Sequence, residues 1–190
     1  MLSKIEFRDL LISVLVLSFA FYRAFNMDFL TAVIIITLAF VLHELSHRYL
    51  ARRYGCFAEY RMWPVGILLA LLSSFIGIIF AAPGAVYISP YSRGKNFAFK
   101  VAHLTKKEYG KISLAGPLTN IIIGFVSLVL SIFYPLDILS IISNITFFLA
   151  LFNLLPFFPL DGSKVFAWDR RIWLSVFIVS IIGLISLSLV

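Results

Sequence analysis

The stretch "HELSH", His43 to His47, lies inside a long apolar run. On a helix turning 100° per residue, positions four apart sit about 40° apart and one turn along. The imidazoles of His43 and His47 then point the same way, a bite that suits one zinc ion. Glu44 falls within the same third of the circumference, where a carboxylate can reach a water on that metal and act as general base. The plain alternative is a pair of helix-interior histidines satisfied by hydrogen bonds. In hydrocarbon, that alternative must also explain three costly side chains facing one way. Arg52, five residues past His47, puts the group about 8 Å inside a basic interface at 1.5 Å per residue.

Two imidazoles and a water leave one position of a tetrahedral site open. His103, the remaining histidine, lies in a lysine-rich segment. Glu6, Asp9, Asp28, Glu59, Glu108, Asp137 and Asp169 read as loop or interface residues. Asp161 differs, because it sits in "FNLLPFFPLDGSK", after one apolar run and before Lys164. Pro156 and Pro159 forbid a continuous helix there, and Gly162 frees the backbone to turn. An aspartate on a broken helix end can point into a bundle. It can equally cap a helix beginning near Ser163, a common use of Asp.

The elements that must position these groups are apolar. The chain has 190 residues, 62% of them hydrophobic, and a mean hydropathy of +1.03; soluble domains are about 45–50% apolar. Several runs meet the roughly 20 apolar residues a membrane span needs. An integral membrane protein of one compact domain, residues 1–190, is expected. No small-residue cleavage site follows Leu10–Tyr22, so that run reads as a retained span. The net charge of +7 comes from cations beside apolar runs, the pattern of a cytoplasmic face against anionic lipid. No nucleic-acid partner is expected. Cys56 is alone, which excludes an intramolecular disulfide and a cysteine-rich metal site.

If all the basic clusters face the cytoplasm, five runs cross: Leu10–Tyr22, Phe29–Leu50, Ile112–Tyr134, Ile138–Leu155 and Ile172–Val190. The run Val65–Ala82 has cations on both sides and is expected to re-enter instead. Pro64 can start a short helix there, and Gly77 and Pro83-Gly84 can break it and return the chain as an extended segment, Ile78–Ser89. A sixth ordinary span is the alternative. The fold expected is therefore an all-α, polytopic bundle of five spans plus a re-entrant helix/strand segment at about 62–91. Under this topology the ends of two inward-running spans, near His47 and near Asp161, share one depth. Six full crossings would put them at opposite faces.

At this point the sequence resembles the site-2 protease family of intramembrane zinc metalloproteases. The resemblance rests on "HELSH" followed far downstream by "NLLPFFPLDG", which match HExxH and N-x-x-P-x-x-P-x-D-G; "AGPLTN" at Ala115–Asn120 resembles the family's central span. These matches anchor most of Val41–Lys164, with a catalytic core at about 29–164. The resemblance implies that His43, His47 and Asp161 ligate one zinc per chain, that Glu44 activates the water, and that Asn153 helps hold the substrate carbonyl or its oxyanion. Interhelical hydrogen bonding is the simpler role for Asn153. Gly116 and Asn120 are site neighbours better suited to packing and polar contact.

Compared with the family, Arg61–Ser92 is long and apolar, and the resemblance suggests a membrane-embedded hairpin beside the active site. Within "FAAPGAVYIS", Gly84, Ala85 and Val86 could present a strand edge to an extended substrate; a plug that merely seals the site is the alternative. The length leaves no room here for a PDZ-like regulatory domain, so substrate selection is expected to fall to the membrane part or to a partner. The function expected is zinc-dependent hydrolysis of peptide bonds in or near transmembrane segments, as in regulated intramembrane proteolysis. The N-terminus and the active-site mouth are expected on the cytoplasmic side, with Lys164 and Arg48 flanking the mouth. The rivals are a metal-dependent transporter or channel, whose ion path would also need buried ionisable groups, and an inactive scaffold of the same fold. Oligomeric state is not legible in the sequence.

Overall fold

The computed structural model describes residues 2–77, 79–93, 99–101 and 103–186. Ile78 of the expected extended return, part of the lysine-rich stretch, and the last four residues of the fifth expected span lie outside them. The described chain is mostly helical and divides into two compact units, Met1–Leu104 and Thr105–Val190.

The first unit opens with α1, Lys4–Phe25, which starts where the Ser3 hydroxyl accepts the Glu6 amide at 3.0 Å. The αL residue Asn26 ends it. Asp28 caps α2, Phe29–Ile36, by accepting the Thr31 amide at 2.9 Å. A π-helical turn, Thr37–Val41, joins α2 to α3, Leu42–Arg53, giving one continuous apolar helix of 25 residues. After the turn at Gly55, β1 (Phe57–Met62) leads into α4 (Pro64–Ser74), which has Pro64 in its first turn. Gly77 adopts φ +75°, the left-handed region that favours glycine. The chain then returns as β2, Gly84–Ser89, antiparallel to β1 with Tyr60 opposite Val86. The amide of Trp63 donates to the carbonyl of Pro83 at 2.8 Å and closes the base of this excursion. The expected helix start and glycine break thus form, and of the expected extended return Gly84–Ser89 is strand. A second strand pair, β3 (Tyr91–Arg93) with β4 (Phe99–Val101), follows.

The second unit begins with α5, Lys106–Phe133, under a Thr105/Glu108 capping box. It packs most extensively on α6, Asp137–Asn153, then on α7, Asp161–Trp168. The last described helix is α8, Arg170–Ser186. Phe147 of α6 is fully buried, with one edge against Gly124 of α5 and another against Gly183 of α8. A Cβ at Gly124 would stand 2.8 Å from that ring, so the small residues are what let these helices close on the aromatic. The Ser143 hydroxyl donates to the Gly124 carbonyl at 2.9 Å and adds a polar tie across the same contact.

Helices form over most of the described part of each of the five runs expected to cross. Two of them, Phe29–Arg53 and Lys106–Phe133, are long and apolar enough to cross a membrane. At 1.5 Å per residue they measure about 37 and 42 Å, against a hydrocarbon core of about 30 Å. Among the described residues, two of the five expected crossings meet that measure. The helix Asp137–Asn153 has 17 residues, as has the described part of α8, while α1 buries Glu6, Asp9, Ser13 and Ser18. The all-helical expectation is also amended by the two short strand pairs.

Candidate active site

Within the first unit, α3 delivers His43, Glu44 and His47 to one buried face; none is more than 6% exposed. The two Nε2 atoms stand 3.0 Å apart, with the rings 4.7 Å apart and 78° from coplanar. Two Zn–N bonds of about 2.0–2.1 Å at the tetrahedral angle would set their nitrogens roughly 3.3 Å apart. The pair therefore fits a shared metal with little adjustment, and imidazole nitrogens are donors of the kind zinc prefers. The π-helical turn ends two residues before His43. Such turns advance the following residues around the helix relative to a regular α-helix, so Thr37–Val41 sets which way the motif faces. No feature of the sequence announces it.

Strands β1 and β2 pack against α3. Gly84 begins β2, and a side chain there would collide with the Tyr60 hydroxyl and the Arg61 carbonyl. Ala85 is exposed and Val86 half-buried. The three residues expected to present a strand edge thus lie on a strand beside the histidine helix. Alternate amides of β1, those of Tyr60 and Met62, donate to the carboxylates of Glu6 at 3.2 Å and Asp9 at 3.3 Å on α1. Those two acids had read as loop or interface residues, yet they are 0% and 3% exposed. Their role escapes sequence reading because the groups they satisfy lie more than fifty positions away. Arg48, expected at the mouth, has its Nε 2.9 Å from Glu6 Oε1, with its side chain 13% exposed.

In the second unit, α6 ends at Asn153, and the chain turns through Leu154–Leu160 to Asp161, the first residue of α7. The helix cap position belongs to Leu160 and carries no side-chain cap bond, so the capping role weighed for Asp161 is not the one it takes. Its half-buried carboxylate has Lys164 Nζ at 3.4 Å. Lys164 also donates to the Pro159 carbonyl at 3.2 Å. Gly162 is pressed against the backbone carbonyl of Leu154 so closely that no side chain could be accommodated. Trp173 of α8 donates its indole N–H to the same carbonyl at 2.7 Å. The Asp-Gly pair is thus required by packing as well as by turning, and Trp173, which carries no motif, braces the turn. Asn153 donates its amide to the Leu149 carbonyl at 2.9 Å, one turn back on its own helix. On α5, Asn120 is 1% exposed and Gly116 is buried one turn before it, ahead of Pro117.

Comparison with known proteins gives three relatives. The chain is 42% identical over 179 residues to "Putative zinc metalloprotease MJ0611" of Methanocaldococcus jannaschii, covering 90% of this chain and 88% of that one. It is 30% identical over 162 residues to "Putative zinc metalloprotease YwhC" of Bacillus subtilis, covering 77% and 71%. It is 30% identical over 137 residues to "Zinc metalloprotease MJ0392" of Methanocaldococcus jannaschii, covering 70% of this chain and 32% of that one. No protein-family model and no solved structure matches. With the paired imidazoles and the adjoining buried glutamate on one helix, and with relatives of that description spanning most of its length, the chain belongs to the zinc metalloprotease family.

Proposed function

We propose that the protein is a zinc-dependent endopeptidase of site-2 type, which hydrolyses peptide bonds in or near transmembrane segments of other membrane proteins. The observation that carries this reading is the buried His43/Glu44/His47 face on a helix apolar and long enough to cross a membrane. A soluble hydrolase has no need to set its base in such a helix. Asp161 supplies the third protein ligand, as its place in the Pro159-Leu160-Asp161-Gly162 turn suggests. The remaining apolar helices complete a multi-pass bundle, and the helix–strand excursion at 62–91 re-enters the membrane with its mouth to the cytoplasm. Phe29–Arg53 and Lys106–Phe133 anchor it in the lipid.

Zinc held there supplies Lewis acidity, making water acidic near neutral pH and polarising the scissile carbonyl. The protein supplies the proton transfers. Glu44 takes a proton from the attacking water as the new C–O bond forms, then delivers it to the departing amine nitrogen as the C–N bond breaks. His43 and His47 remain neutral so that their nitrogens can bind metal. Asn153 supports the developing oxyanion with its side-chain amide, exchanging its Leu149 partner for the substrate oxygen. Gly84, Ala85 and Val86 hold the substrate extended through main-chain hydrogen bonds; Asn120 and Gly116 serve as a polar and a small packing residue on α5.

The test is metal analysis of detergent-purified protein together with cleavage of a model transmembrane substrate. One zinc per chain and cleavage by wild type are expected. Glu44→Gln should retain zinc and lose about 10²–10⁴ in rate, the usual worth of a general base. Asp161→Asn should lower zinc content. Cleavage by Glu44→Gln at the wild-type rate would overturn the assignment of the base. Zinc flux across vesicles without cleavage would replace proteolysis with transport.

A further inference from the structure

A cavity of about 670 Å³ lies in the first unit between the start of α1, the end of α3 and β1. Small-ligand sites take roughly 300–1,000 Å³. Leu2, Ile5 and Phe57 line it with exposed apolar side chains, and Lys4 and Arg52 line it with cations.

The charges around this cavity do not balance. Glu59 accepts the Ser3 hydroxyl on one carboxylate oxygen and meets Arg61 on the other at 2.7 Å, so that acid and that cation offset each other. Glu6 accepts the Tyr60 amide and pairs with Arg48. Lys4 and Arg52 have no carboxylate partner among the described residues. The Arg52 guanidinium is nonetheless held in place, because its Nε and Nη2 donate to the Ala58 carbonyl at 3.2 and 2.9 Å. Its Nη1 makes no such bond among the described residues. A planar fork fixed in this way suits phosphate oxygens and loses little freedom on binding them. The positive end of α1, which begins at Lys4, adds to the same potential.

Position narrows the ligand. Arg52 is the last residue but one of Phe29–Arg53, a helix long and apolar enough to cross a membrane. Where such a helix ends, hydrocarbon gives way to headgroups. Anionic headgroups there attract cations at the helix end, and acyl chains meet apolar side chains. A free phosphate would use the cations and leave Leu2, Ile5 and Phe57 without a role.

We propose that this cavity is a headgroup site for an anionic phospholipid, with the phosphate held by Lys4 and Arg52 and the chains against Leu2, Ile5 and Phe57. It rests on the membrane placement proposed above and not on the peptidase chemistry.

The experiment titrates the full chain, in a non-ionic detergent, with dioctanoyl phosphatidylglycerol, and reads bound lipid by native mass spectrometry. Phosphatidylcholine of the same chains and inorganic phosphate are run beside it. One phosphatidylglycerol should bind at least about fivefold tighter than phosphatidylcholine, and millimolar inorganic phosphate should not displace it. A cation at such a surface is worth about fivefold in affinity. Arg52→Gln should therefore cost about fivefold or more, and Lys4→Glu, a change of two charges, about ten- to thirtyfold. An acidic residue in the first turn of a helix is favourable, so Lys4→Glu keeps α1 intact and judges alone if Arg52→Gln does not fold. Lys107→Glu makes the same reversal on an exposed cation of the second unit and should stay within about twofold of wild type. Equal losses in Lys4→Glu and Lys107→Glu would mean diffuse attraction to a basic surface, and overturn the proposal. So would equal binding of phosphatidylcholine, or displacement by inorganic phosphate. The membrane placement fails separately, if alkaline carbonate releases the protein from membranes without detergent; a protein that stays with lipid yet shows no preference for phosphatidylglycerol overturns the headgroup site alone.

Discussion

The surroundings of His43–His47 and those of Asp161 solve the same problem with different chemistry. The histidine helix is supported by charge: Glu6 and Asp9 of α1 hold β1 amides, Glu6 meets Arg48, and the Ser13 hydroxyl lies 2.8 Å from that of Tyr60. The turn before Asp161 is supported chiefly by close backbone packing and donors to its carbonyls, through Gly162 against Leu154, the Trp173 indole on Leu154, Ser163 donating to Leu160 at 2.7 Å and Lys164 donating to Pro159 at 3.2 Å. The difference follows from what each must fix. A helix face is already rigid, and it needs its orientation and its neighbouring charges settled. A turn interrupted by prolines has few backbone bonds of its own, and its path must be fixed by contact.

The comparison can be broken most sharply at Gly162. Gly162→Ala forces a methyl into the Leu154 carbonyl, and a destabilisation of about 3 kcal/mol or more is expected from such overpacking. Chemical denaturation measures it, and wild-type stability would mean that the turn is loosely held. Trp173→Phe keeps the ring against Phe166 and Phe177 but removes the donor to Leu154. The loss should be about 1–3 kcal/mol, the penalty for stranding a buried carbonyl, with zinc affinity reduced and zinc restored at high concentration. If Trp173→Phe instead behaves as wild type in both respects, the brace is only packing. Thr105→Ala removes an exposed cap and its box with Glu108, at a cost of about 1 kcal/mol and with no change in zinc content.

Asp28 should give the smallest effect. Hydrogen bonds from Thr31 hold its carboxyl below the ordinary aspartate value. A depressed folded value means the contribution is present above the unfolded pKa and is lost as pH falls through the folded one. Asp28→Asn should therefore flatten the acid side of the melting-temperature profile by no more than a few degrees, leaving cleavage near neutral pH unchanged. A large effect at pH 7 would show that this exposed cap does more than begin a helix.

What could be read in advance was local. The i,i+4 histidines needed only helix geometry, and Pro64, Gly77 and Gly84 marked a helix, a break and a strand because those residues restrict or release the backbone where they stand. Of the five crossings expected, two are shown by length and composition among the described residues. Apolar runs attracted the count, whereas the polar residues of α1 and the 17 residues of α6 limited it. Glu6, Asp9 and Trp173 gave no signal, since each acts on groups far along the chain.

The sequence by itself determined the chemistry available: two imidazoles and a carboxylate on one helical face, and an aspartate on a turn that prolines keep from becoming helix. Those depend on bond rotations and spacing within a few residues. Only the tertiary structure decided that Arg48 turns to α1, that β1 is held by carboxylates of α1, and that an indole from α8 steadies the turn before Asp161. Buried polar groups must find partners wherever packing brings them, and packing joins residues that the order of the chain keeps apart.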